Sequence, residues 1–387
     1  MKLLILDQFS EPGGAQQCIL DLAPEFAKRG WSATFLAPGN GEIHHALRSL
    51  GIETDTLPMR TYANSKKRLR DVLAYPSDIA LATLRVKRFI ARRRPHIIYA
   101  NGPRILPAAM MAGIPVVYHI HSLIQKWYAR SIIGASLRMT SPAVVAASRF
   151  VAAPVERLSP HPVRVIYTGV PDQGFIAPSE RNSAPVRIGI IGRIAPEKGQ
   201  IDFVNAARKV LHLHPRIEFA VYGTAMFSDS DYEAKVRAAA AGLPVTFYGW
   251  VKDVSRALHD IDILAVPSSS IEGASRVTVE AFSAGTPVIA YPSGGIPELI
   301  QNGTTGLITE APDPGALAAS MLQLIDSTHF RNALAVSGRR AWEERFTVKR
   351  YQRDICDFVA SVREAHISYA EREHDRALAI RARARNR

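Results

Sequence analysis

The chain has 387 residues, 47% of them hydrophobic and 21% charged, with 48 Lys/Arg against 35 Asp/Glu. This composition excludes disordered, collagenous and disulfide-stapled classes, and the length calls for two domains with sizeable cores. The two cysteines, Cys18 and Cys356, stand far apart with no CxxC or metal spacing, which fits a reducing compartment and plain thiols.

The opening run KLLILD (2–7) is short and cut by Asp7, so it reads as a buried first strand rather than a signal peptide. In QFSEPGGAQQCILDLAPEFAKRG, Gly13 and Gly14 open a helix with Ile19, Leu22 and Phe26 on its apolar face. Pro24 is expected to kink this helix and Gly30 to close it. A glycine pair at a helix start lets backbone N–H groups approach an anion closely. SATFLAP (32–38), HIIYAN (96–101), PVVYHIHS (115–122) and AVVAAS (143–148) read as further strands, each with a helix-like spacer. Pro107, Gly113 and Pro115 break the apolar stretch 105–120, so no segment is expected to cross a membrane.

GVPDQGFIAPSERNSAP (169–185) is rich in Pro, Ser and Gly without a period and is the expected linker. Strands return at VRIGIIG (186–192), EFAVYG (218–223), VTFYG (245–249), DILAVPS (262–268) and PVIAYP (287–292). Continuous apolar strands alternating with helices indicate parallel sheets covered on both faces. The expected organisation is α/β with two doubly wound, Rossmann-like domains at 1–170 and 186–345, a linker at 171–185, and a helix with a basic tail at 346–387.

Charge is uneven along the chain. Residues 1–170 carry 22 Lys/Arg against 10 Asp/Glu, whereas residues 171–345 carry 16 against 19. Much of the excess lies in SKKRLR (65–70) and RVKRFIARRRP (85–95), where Leu84, Phe89 and Ile90 are interspersed with the cations. Such stretches either form a solvated helix face or attract an anionic membrane surface. No nucleic-acid-binding signature accompanies them, so no nucleic-acid partner is expected.

Ligands of parallel sheets bind at the carboxyl ends of strands. After VRIGIIG, Arg193 and Lys198 in RIAPEKGQ place two cations at one strand end, a match for a diphosphate. The lysine precedes its glycine and no GK[ST] follows, so this is not a Walker loop. In IEGASRVTVEAFSAGTPV (271–288), Ser275 is the expected N-cap of a helix from about Arg276 to Ala284, stopped by Gly285. Glu272 then precedes the helix and Glu280 lies inside it, too far apart for a facing acid/base pair. The N–H groups of Arg276, Val277 and Thr278 favour an anion between them.

The glutamate spacing followed by AFSAGTPVIAYPSGGIPELI, the upstream GRIAPEKG, and GGAQQCILDLA and VVYHIHS in the first half resemble the family 4 type of retaining GT-B glycosyltransferases over about residues 1–360. The resemblance implies two domains facing across a cleft, a C-terminal helix returning to the first domain, and a nucleotide-diphosphate sugar as co-substrate with no cofactor or metal. It implies that Arg193 and Lys198 neutralise the diphosphate, Glu280 holds the ribose, Glu272 the sugar, and the backbone at Trp250 and Val251 the base. Gly13 and Gly14 would close over the donor, and His121 would stand at the reaction centre. Alternation along the strand puts His119 on the same face as His121, and His121 is favoured because it lies at the strand end. The acceptor would be lipid-linked or a glycan, and the protein cytoplasmic or peripheral on the inner face of a membrane.

This sequence departs from the family pattern at Ala274 and Ser275, where Phe-Gly is usual, at Thr168-Gly169, where Asn-Gly is common, and at Pro24. Asp229/Asp231 and Asp260/Asp262 each spell DxD, but ordinary surface and capping roles are expected for both. A sugar-nucleotide epimerase of GT-B-like fold and a non-catalytic sugar-nucleotide-binding protein are the alternative readings.

Overall fold

The computed structural model describes residues 1–61, 69–178, 185–225, 230–269 and 272–385. The first sheet comprises β1 (Lys2–Asp7), β2 (Ser32–Pro38), β3 (Glu53–Leu57), β4 (Ile97–Asn101), β5 (Val116–Ile120), β6 (Ala143–Ala146) and β7 (Val163–Val165). All pairs are parallel, in the order β3-β2-β1-β4-β5-β6-β7. The second sheet comprises β8 (Arg187–Ile191), β9 (Glu218–Tyr222), β10 (Val245–Gly249), β11 (Ile263–Val266), β12 (Val288–Ala290) and β13 (Leu307–Ile308), parallel in the order β10-β9-β8-β11-β12-β13. Strand order reverses between β1 and β4 and again between β8 and β11, so each sheet has a crevice at the carboxyl ends of those strands.

Alternation along β1 shows how each face is covered. Leu4 and Leu6 join a core with helices Leu69–Arg93, Leu106–Met110 and Trp127–Thr140, while Leu3 and Ile5 face helices Gly14–Lys28 and Glu42–Ser49. Each fully buried Leu, Ile or Phe contributes about 1.5–3 kcal/mol, so such two-sided cores stabilise each sheet by itself. Helix Gly14–Lys28 continues through Pro24, so the expected kink does not divide it.

The chain crosses between the sheets twice, side by side. Val170 N donates to Phe346 O and Val348 N donates to Val170 O, both at 2.9 Å. Any Cβ on Gly169 would lie 2.3 Å from Thr347 O, which is why the smallest residue stands there. Helix Val348–Arg385 then returns to the first sheet, where Tyr351, Ile355 and Val359, spaced four apart, bury against helix Gly14–Lys28. The expected basic tail is helical as far as Arg385. The linker residues 179–184 and the basic residues 65–68 lie outside the described residues, as does Asp229 of the first DxD. In the second DxD, Asp260 pairs with Arg187 at the surface and the buried Asp262 accepts from Arg187 N.

Candidate functional site

The β8 loop is built to hold its cations in place. Gly199 adopts φ +75, and a Cβ there would meet Pro267 O at 2.0 Å, so the loop presses against the end of β11. The fully buried Gln200 ties the loop down, donating to Arg193 O at 2.9 Å and accepting from Ala195 N at 3.3 Å. Lys198 Nζ donates to Glu272 Oε2, and Arg193 pairs with Glu197. Each expected cation is thus matched by one carboxylate. Glu197 lies inside the motif itself, but nothing in its spacing marks it as the partner of Arg193.

Helix Arg276–Ala284 starts and stops where expected, with Gly285 at φ +69. The Ser275 side chain, however, makes no capping hydrogen bond; its hydroxyl accepts from Thr278 Oγ1 at 2.8 Å. The two hydroxyls satisfy one another, which leaves the first backbone N–H groups of the helix without a side-chain cap. Arg276 turns toward carboxylates: Nε donates to Glu280 at 2.7 Å and Nη1 to Asp21 of helix Gly14–Lys28 at 2.6 Å. Asp21, which the sequence did not flag, therefore joins the two halves of the molecule through a buried triad. Burial raises the pKa of both Asp21 and Glu280, and Arg276 opposes it in each. Burial also works against the Arg276 charge, but Glu280 and Asp21 outweigh it and hold the guanidinium above its usual range.

On the first-domain side, the polar ends of three neighbouring strands form a relay. Asp7 and Asn101 are register partners across β1 and β4, and His121 follows β5 alongside. Asn101 Nδ2 donates to Asp7 Oδ2 at 2.6 Å, so Asn101 Oδ1 faces His121 Nε2 at 2.7 Å. That arrangement places the imidazole proton on Nε2 and leaves Nδ1 as an acceptor. Burial lowers the His121 pKa to about 4, so the ring is neutral at physiological pH. Asp7 is raised to about 6 by burial, against hydrogen bonds from Asn101, Phe9 and Gln16. His119 is fully buried, bonded to Tyr99 OH, and packs its ring at 3.8 Å from that of His121, tilted by 40°. It supports the His121 ring from within the core.

Gly13 precedes the first helical residue, Gly14, at the same sheet end. A Cβ on Gly13 would meet the Gln16 side chain at 2.8 Å, and Gln16 Nε2 bonds Asp7 at 2.9 Å; a Cβ on Gly14 would meet nothing. Trp250 and Val251 follow the edge strand β10 at the carboxyl end of the second sheet, with the Trp250 ring half in solvent. Among the described residues no hydrogen bond joins them to Arg193, Lys198, Glu272 or Glu280.

Gly273 brings the two halves of the site together. A Cβ on it would lie 2.3 Å from His121 O, and Ser148 Oγ donates to Gly273 O at 2.6 Å. On its other side, Gly295 N donates to Glu272 O at 2.9 Å, and a Cβ on Gly294 would overlap that oxygen. The Glu272–Gly273 backbone is therefore clamped between the Gly294–Gly295 turn and the end of β5, beside His121. A second strap crosses nearby: Glu298 accepts from Arg149 N and Phe150 N at 2.8 and 2.7 Å, placing a carboxylate on the N-terminus of helix Arg149–Glu156. Tyr167 OH donates to the same carboxylate at 2.9 Å.

Residues 12–173 match a family model described as Glycosyltransferase Family 4, and residues 185–327 match one described as Glycosyl transferases group 1. The sulfoquinovosyl transferase SQD2 of Arabidopsis thaliana is 27% identical over 305 residues, covering 70% of this chain and 56% of that protein. The phosphatidyl-myo-inositol mannosyltransferase of Mycobacterium tuberculosis is 25% identical over 355 residues, 86% of this chain and 89% of that protein. The chain spans 42–56% of the length of several other curated relatives and of SQD2. A solved structure of Anabaena HepE in complex with UDP superposes at TM-score 0.77 and 25% identity, covering 93% of this chain and 100% of that one. The paired Rossmann-like domains are the GT-B arrangement.

Proposed function

We propose that this chain, which belongs to the glycosyl transferases of group 1 and family 4, moves a hexose from a nucleotide-diphosphate sugar to a lipid-linked or glycan acceptor with retention of configuration and without a metal. The observation that carries the reading is the contact of Lys198 with Glu272, locked by Gly273 against the end of β5 beside His121. In a sugar nucleotide the β-phosphate adjoins the sugar, so an ammonium and a hydroxyl-binding carboxylate are needed side by side. Arg193 and Lys198 exchange carboxylate partners for the diphosphate and stabilise the charge that develops on it.

The bond between the anomeric carbon and the β-phosphate oxygen breaks, the acceptor oxygen bonds that carbon on the same face, and the acceptor proton passes to the leaving phosphate. Neutral His121 accepts a hydrogen bond from a sugar hydroxyl through Nδ1, in the tautomer set by Asn101 and Asp7. Glu280 receives the ribose hydroxyls, with Trp250 and Val251 at the base and Gly13 and Gly14 over the donor. The uncapped N–H groups of Val277 and Thr278 add positive potential toward the diphosphate. In this reading residues 1–170 bind the acceptor, residues 186–345 bind the donor, 171–185 link them, and 346–387 cross back. The name of one relative, a phosphatidyl-myo-inositol mannosyltransferase, supports a lipid-linked acceptor. HepE in complex with UDP supports a uridine donor.

The test supplies radiolabelled uridine, guanosine and adenosine diphosphate sugars with membrane extract and follows label into lipid and glycan. Wild type should incorporate label from one of them and Glu272→Ala should not. Equal incorporation by both proteins, or free sugar nucleotide interconverted without any acceptor, removes the transferase reading; the second result favours an epimerase.

A further inference from the structure

One face of the first domain carries features that the donor site does not use. Helices Leu69–Arg93, Leu106–Met110 and Trp127–Thr140 cover the same side of the first sheet, with the short middle helix packed against both neighbours. Their inward residues fill the core, yet their outward residues are not uniformly polar. Trp127 is 78% exposed, Leu73 72%, Met139 69% and Leu84 52%, with Leu81, Met111 and Ile132 also exposed. Among the described residues no other helix or strand carries more than two such tips, and Leu213 of the second domain lies outside any helix or strand.

The exposed charged side chains described on these helices are all cations. Arg85 and Arg93 are engaged by Asp55 and Glu53 of β3, which accounts for part of the basic stretch 85–95. Lys87, Arg88 and Arg92 of the first helix, and Lys126, Arg130 and Arg138 around helix Trp127–Thr140, are exposed and make no ion pair among the described residues. Asp78 is buried and turned toward Arg60. Residues 126–140 contain no acidic side chain. Exposed Trp, Leu and Met tips among unpaired cations are what the headgroup layer of an anionic bilayer accepts, the rings and aliphatic tips entering while the cations meet phosphate. A soluble polyanion would use the cations alone and leave the apolar tips in water.

We propose that this helical face docks on an anionic lipid bilayer, with Trp127 inserted at the interface. Trp127 opens the helix that follows the β5 end, six positions after His121. Docking there sets the first-domain rim of the cleft against the membrane, where a lipid-linked acceptor presents its head group. The inference rests on the transferase reading for its purpose, but the test below does not require turnover.

The full chain is mixed with vesicles of phosphatidylcholine alone, or with about a third phosphatidylglycerol, and also with brominated lipid. Wild type should co-sediment with the anionic vesicles only, release at high salt, and show quenched tryptophan emission that Trp127→Phe abolishes. Trp127→Glu/Met139→Glu and Arg130→Glu/Arg138→Glu should each weaken partitioning about tenfold or more. Leu213→Glu should leave it unchanged. All the altered side chains are exposed, and stabilisation by uridine diphosphate confirms that each variant keeps its fold and donor site. Wild type remaining in the supernatant, quenching that survives in Trp127→Phe, or charge-dependent binding that ignores Trp127 and Met139 would each overturn the proposal. If partitioning fails while the nucleotide still stabilises the protein, membrane docking is lost and the transferase reading stands.

Discussion

Replacing Arg276 with Met removes the cation that two buried carboxylates share. Asp21 is 6% exposed and Glu280 8%, and the guanidinium reaches them at 2.6 and 2.7 Å. Removing one partner of a buried ion pair leaves an uncompensated charge and costs about 3–5 kcal/mol. The loss depends on pH, and its sign follows from the shifts. Burial already raises both carboxyl groups and Arg276 lowers them, so without Arg276 both rise further. A raised carboxyl is neutral in the folded state over a range where the unfolded chain is ionised. Stability is therefore kept at pH values below the unfolded carboxyl pKa and lost as pH climbs through the folded one. Arg276→Met should unfold in urea close to wild type at about pH 4 and well below it at pH 7.5. Two cores can separate on unfolding, so the comparison is made on the first transition. The triple variant Asp21→Leu/Arg276→Met/Glu280→Met should recover most of the loss, because apolar side chains replace a buried ionic cluster at little cost. A deficit under about 1 kcal/mol for Arg276→Met, equal at both pH values, would show that the triad is hydrated in solution and refute the reasoning.

Asp7→Asn tests the relay behind His121. Asp7 goes from an ordinary carboxyl to about 6 in the fold, so wild type should lose about 2 kcal/mol relative to Asp7→Asn between pH 4 and pH 7; urea unfolding across that range checks it, and parallel curves would contradict it. Gly273→Ala places a methyl 2.3 Å from His121 O, so the Glu272 loop must withdraw from β5. Small-angle scattering should then show a more open particle than wild type, and transfer should fall at least tenfold. An unchanged radius of gyration with full transfer would remove the clamp.

The sheets were legible because their strands are continuous apolar runs, and those runs form the strands observed. β3 was not, since ETDTL is a polar edge strand whose carboxylates serve Arg85 and Arg93. β7 and β13, three and two residues long, are too short to carry a period. In the site, Arg193, Lys198, His121 and Glu272 stood out because each lies near a strand or helix end within a local motif, and Glu280 because of its spacing from Glu272. Asp7 and Asn101 are single polar residues at strand ends 94 positions apart, and only strand register makes them partners. A polar residue closing each of β1 and β4 was nevertheless a signal that strand-end polarity would have found. Asp21 meets Arg276 across 255 positions, a contact set by how the two domains approach, which no local pattern encodes. Gly273 reads as an ordinary loop glycine until the end of β5 is seen to touch it.

The central claim is that the Arg193–Lys198 loop holds the diphosphate of a sugar donor. The most direct measurement is release of nucleoside diphosphate from the donor panel with membrane extract, comparing wild type with Lys198→Ala at matched thermal stability. The account predicts turnover by wild type with at least one donor and a kcat about 10²–10³-fold lower for Lys198→Ala. Turnover by Lys198→Ala at the wild-type rate would contradict it.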